Sequence, residues 1–202
     1  MMTIEHTIAQ RNDIVARCEA LFAEKIFVTR TKRDDASLRY LLLIFEHHRG
    51  IIMLAPGCRS PAFSLIRPVT EAFNRLHVTM YGTEKQFQAL RDGSYRTEYK
   101  TEGDLIDEVS GFAPLFGPLF GKIKDSLHGF THAGTEHLTR MTDGKNNIGP
   151  NYSDQDVADL LHYVTLLALF AAVSTAHFLN WTEAKASSMK ILDEFLGVDA
   201  KP

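Results

Sequence analysis

Tyr163-Val-Thr-Leu-Leu-Ala-Leu-Phe-Ala-Ala-Val-Ser-Thr-Ala-His-Phe-Leu179 is the stretch that decides how this chain folds. It contains no Lys, Arg, Asp or Glu. At about 1.5 Å per residue, a helix of this length approaches one bilayer span. However, Thr165, Ser174, Thr175 and His177 lie inside it, and no basic flank orients it. Such a helix reads as the centre of a bundle, apolar because it is covered on nearly all sides. No membrane segment is expected.

Working outward, Ser153-x-x-Asp156 resembles a capping box with Asp in place of the usual Glu, and it opens this long helix. The helix should end near Asn180, and Thr182 should cap a last amphipathic helix that Gly197 stops. On the amino-terminal side, residues 3–28 place Ile4, Ile8, Val15, Cys18, Leu21 and Phe22 at spacings of three and four, with Arg11 in the same stripe. Asp34 or Asp35 should cap a second helix running to about Leu54, where Pro56-Gly57 stops it. Ser60-Pro61 predicts a helix start continuing to Tyr81-Gly82. Pro68 cannot donate to the carbonyl of Ser64, so a kink is expected one residue past Arg67. Thr83 begins a short helix that ends near Gly93.

The middle of the chain carries Pro114-Leu-Phe-Gly followed by Pro118-Leu-Phe-Gly, leading into another helix. Residues 134–152 lose periodicity and predict a long polar loop. No alternating run reaches convincing strand length. The fold class is therefore all-α: a single helical domain over 1–202, with four or five long helices plus short ones.

Composition agrees with a soluble domain. Of 202 residues, 45% are hydrophobic and 23% charged, and the formal net charge is −3. That balance does not advertise nucleic-acid binding. Cys18 and Cys58, each in a segment that reads as helix, belong to no metal or redox motif; reduced thiols and a cytoplasmic location are expected. No cofactor motif is visible, and none is expected.

Chemistry concentrates in two places. The helix after Pro118 has an apolar face of Leu119, Phe120, Ile123, Leu127 and Phe130. Its opposite face holds Gly117, Gly121, Lys124, Asp125, His128 and His132, which is unlike a solvent face. On the helix after Ser60, Arg67, Glu71 and Asn74 share one edge of the apolar arc. Arg67 and Glu71, four residues apart, can pair as a half-exposed surface couple or as a buried one kept for function. If the two helices face each other, Arg67, Glu71, His128 and His132 form a candidate catalytic set, with Lys124, Asn74 and Asp125 as candidate ligand-binding neighbours. His128 and His132 at i and i+4 could share a metal with a further ligand such as Glu71, His47, His48 or His77. The sequence HxxxH alone lacks the zinc-protease glutamate, so no metal site is assigned. His48 falls on the apolar stripe of its own helix and reads first as a core residue.

Helical RxxxE followed by Ser-Leu-His-x-x-x-His resembles a group of uncharacterised bacterial helical proteins, some associated with abortive infection and phage defence. They are distantly similar to the HEPN superfamily of nucleotide-binding helical domains. The resemblance covers about residues 35–180 and rests on Arg67, Glu71, His128 and His132. Catalytic HEPN ribonucleases carry an Arg followed by four to six residues and a His. In this chain Lys124 stands four before His128, Arg75-Leu-His77 is too close, and Arg39 lies too far from His47. The resemblance therefore implies a helical bundle more strongly than RNA cleavage. It makes a non-catalytic defence, toxin–antitoxin or regulatory module the first functional expectation, with a protein partner or a homodimer. A HEPN-like ribonuclease or phosphate-ester enzyme using Arg67, Glu71, His128 and His132 is the second, and a metal-binding bundle the third.

Overall fold

The computed structural model describes residues 3–23, 31–94 and 151–197. Among them the chain forms seven helices: α1 (Ile4–Ala23), α2 (Lys32–Leu54), α3 (Arg59–Ser64), α4 (Ile66–Tyr81), α5 (Glu84–Asp92), α6 (Asp154–Phe178) and α7 (Thr182–Leu196). No strand occurs among the described residues, and the all-α class is what the periodicity predicts.

α6 is the axle. It packs against α1, α2, α4 and α7, and Leu161, Val164, Leu167, Ala168, Ala171 and Ala172 are fully enclosed. The alanines let neighbouring backbones come close, while the larger apolar side chains fill the space between turns. Around it sit Leu41, Ile44 and Phe45 from α2 and Val69, Phe73 and Leu76 from α4, all buried. Each such side chain contributes about 1.5–3 kcal/mol by leaving water. Phe22 of α1 ties the two ends of the chain together, its ring 6.2 Å from Phe45 and 5.4 Å from Trp181. By length and composition α6 could cross a membrane; in this fold its apolar surface is met by four other helices.

The caps explain where helices begin. Ser153 accepts from the Asp156 amide while Asp156 accepts from the Ser153 amide, the reciprocal arrangement the sequence predicts. Thr83 and Gln86 do the same for α5, and Gly93 ends that helix at φ 79°, as Gly197 ends α7 at φ 70°. Three expectations are corrected. Thr31, not Asp34 or Asp35, caps α2; Asp34 is instead the third-position partner of the box. Thr182 is the first residue of α7, and the cap position is Trp181. The helix expected from Ser60 starts at Arg59 behind Cys58, so Cys58 precedes the helix instead of lying within it.

Pro68 acts earlier than its own position. Lacking an N–H, it leaves the Ser64 carbonyl without its helical donor. The chain answers by ending α3 at Ser64 and restarting at Ile66, with the Leu65 amide turned to the Ala62 carbonyl at 3.2 Å. A single kinked helix becomes two. Arg33 then locks the far end of α4: its guanidinium donates to the carbonyls of Thr79 and Gly82, both at 2.9 Å, and lies over the Phe87 ring.

Candidate functional site

Arg67, Glu71 and Asn74 all rise from α4, at steps of four and three residues, and so share one strip of the helix. The Arg67 Nε donates to Glu71 Oε1 at 2.5 Å. The two side chains are 38% and 34% exposed. The pair is thus neither a free surface couple nor a buried one: both partners keep about a third of their surface in solvent. Screening at that exposure leaves its stabilising effect at about 0–1 kcal/mol. A turn further on, the Asn74 Oδ1 is buried and accepts no hydrogen bond. An amide oxygen enclosed without a donor costs about 1–3 kcal/mol. The strip therefore carries one satisfied charged pair and one unsatisfied acceptor.

Beneath it the polar groups are committed to the core. Thr70 Oγ1 donates to the Ile66 carbonyl at 2.8 Å, so the Tyr163 hydroxyl, 3.0 Å away, donates to Thr70. Burial holds the Tyr163 phenol well above its ordinary range. His77 has its Nδ1 2.9 Å from the Phe73 carbonyl, which makes Nδ1 the protonated nitrogen. Its ring lies 4.4 Å from that of Phe73, and burial lowers its pKa to about 4. His48, on α2, reaches Thr165 of α6 through Nε2 at 3.1 Å. Burial, with Arg49 adding to it, lowers His48 to about 4 as well. His48 is a satisfied core residue, as its place on the apolar stripe predicts.

No family model, curated protein or solved structure matches this chain.

The structure brings Arg67, Glu71 and Asn74 together. His128, His132, Lys124 and Asp125 lie outside the described residues, as do Gly117, Gly121, the PLFG repeat and all but the last two residues of the 134–152 loop. Of those two, Tyr152 is buried, stacked on Phe63 at 4.5 Å, and its carbonyl accepts from Arg59. Among the described residues, no group of three His, Cys, Asp or Glu side chains could hold a metal. His47 is only partly buried, and burial lowers its pKa too. Cys18 and Cys58 are free thiols. Burial pushes Cys18 up to about 11, which keeps it protonated and unreactive beside Ser188.

Tyr163 and Thr70 are the polar contacts that sequence reading passed over. The signal for them was present: a tyrosine heading an uncharged run needs a partner for its hydroxyl if the run is buried.

Proposed function

We propose that this chain is a non-catalytic helical-bundle module of the cytoplasm, of the defence, toxin–antitoxin or regulatory kind, that works by binding a protein partner. The observation that supports this reading is the α4 strip, in which Arg67 and Glu71 offset each other's charge and each keeps about a third of its surface in solvent. Such a strip offers directional hydrogen bonds, which give an interface specificity. His48 of α2 and His77 of α4 are buried in the core. With pKa values near 4 they carry no exchangeable charge at neutral pH, so neither is poised as a general acid or base.

The full-length chain, expressed in its native cells with a tag other than polyhistidine, should retain a partner that copurifies in fixed stoichiometry and rebinds when both are purified. Arg67→Ala and Glu71→Ala should weaken that rebinding while leaving the helical circular dichroism unchanged. Cleavage of RNA by the purified chain, abolished by His128→Ala, would overturn this reading in favour of a HEPN-like ribonuclease. Such an enzyme would use Arg67, Glu71, His128 and His132.

A further inference from the structure

Arg11 differs from six other arginines among the described residues. Arg17, Arg33, Arg39, Arg49, Arg59 and Arg67 each have a carboxylate oxygen between 2.5 and 3.2 Å away. Among the described residues Arg11 has none, although it is more enclosed than Arg17, Arg39 or Arg49. Its Nε is buried and bonded to nothing, and burial alone lowers its pKa. Its guanidinium lies 4.6 Å from the centre of the Phe195 ring. His162 stacks on that same ring at 4.9 Å and 24°. A half-buried cation and an imidazole therefore share one aromatic platform where α1, α6 and α7 meet.

We propose that Arg11 and His162, both in contact with the Phe195 ring, form a receptor for an oxyanion, a phosphate or carboxylate group. Desolvating a guanidinium without a counter-charge is costly, and two oxygens of a carboxylate or phosphate match its fork of donors. His162 is exposed and supplies a second donor from the neighbouring helix. Phe195 holds both groups in place, since a cation over its face and a ring stacked on it have little freedom to turn away. The charged groups acting on His162 are Arg11 of α1, which disfavours its protonation, and Asp159 of its own helix, which favours it. From α7 it meets the Phe195 ring. A bound oxyanion would offset Arg11, so His162 should take up a proton more readily with the ligand present. This site involves α1 and α7, neither of which carries the Arg67 strip, so it stands independently of the partner-binding reading.

Inorganic phosphate is the probe, titrated into the isotope-labelled full-length chain at ionic strength matched with chloride. The ring signals of His162, assigned through His162→Gln, should shift saturably with phosphate and not with chloride, and the midpoint of its titration should rise. Arg11→Gln should flatten the response several-fold, with Arg11→Lys intermediate. A parallel titration with acetate separates the sources: a response to phosphate alone assigns a phosphate group, and an equal response to acetate assigns a carboxylate. An unsaturable shift, an equal response to chloride, or an undiminished response in Arg11→Gln would overturn the proposal and leave Arg11 as a cation–π anchor for Phe195. Should Arg11→Gln not fold, the rise in melting temperature with phosphate decides between wild type and His162→Gln. Loss of the rise in the variant supports the receptor, and its persistence refutes it.

Discussion

The two flanks of α6 give their enclosed polar groups different partners. Toward α2 and α4, three buried pairs answer one another, His48 with Thr165, Tyr163 with Thr70 and His77 with the Phe73 carbonyl, while Ser37 Oγ, Asn74 Oδ1 and Thr79 Oγ1 on those helices have no partner among the described residues. Toward α1 and α7, the Cys18 thiol donates to Ser188 Oγ at 3.7 Å, and Arg11 meets an aromatic face instead of an acceptor. Both flanks are apolar in composition. They differ in the partner an enclosed ring or cation finds, a hydroxyl or carbonyl on one side and an aromatic face on the other. The first pattern fixes helix register, because each donor has one place to be; the second leaves the Arg11 charge without a carboxylate among the described residues.

Acid should break the α2–α4 flank first and produce the largest effect. His48 and His77 have folded pKa values of about 4, below the ordinary value of 6.5. The unfolded chain therefore binds protons first as pH falls. The stability these residues contribute is complete above pH 6.5, declines from there toward pH 4, and levels off below it. The loss is on the order of 3 kcal/mol for each histidine. Urea unfolding between neutral pH and pH 4 should show it, and His48→Leu should remove about half of the slope.

Next in size, Thr165→Val deletes the partner of the His48 Nε2. It should cost about 1–3 kcal/mol, read from the urea midpoint, because a buried ring nitrogen is left without a bond. Adding His48→Leu should recover much of that loss, since removing both partners leaves no orphan. A double variant no better than the single would show that packing, not the hydrogen bond, joins α2 to α6. Ser153→Ala removes the cap of α6 and should cost about 1 kcal/mol. On the other flank the effects should be smaller. Arg17→Ala, which breaks an exposed pair with Glu194, should change stability by about 0–1 kcal/mol. Arg11→Met should be closest to neutral, since the lost cation–π contact is offset by relief of an unpaired charge. A cost as large as that of Thr165→Val would remove the distinction between the flanks.

Much of the fold was legible in local residues. The uncharged run 163–179 announced a covered helix, and Ser153-x-x-Asp156 placed its start. Thr83 and Gly93 bounded α5. Sequence and structure part where several residues can serve one role. Thr31, Asp34 and Asp35 can all cap, and the choice falls to the residue whose own backbone is extended, Thr31 at φ −133° and ψ 163°. Pro68 predicts a kink at its own position, but its missing donor is felt four residues earlier, where the helix breaks. At the candidate site, the spacing of Arg67, Glu71 and Asn74 gave the shared strip directly. Spacing could not give the depth of that strip, because burial depends on what packs across it.

By itself, then, the sequence determined what local chemistry controls: helix, its period, its caps, and which faces are apolar. Only the tertiary structure decided which polar groups recover the hydrogen bonds they lose with water. His48 and Arg11 look alike on paper, each a polar residue in an apolar stripe. One finds a threonine hydroxyl on a helix 117 residues away, and the other finds a phenyl ring. That difference is set by which helices lie side by side, a long-range outcome that no window of sequence contains.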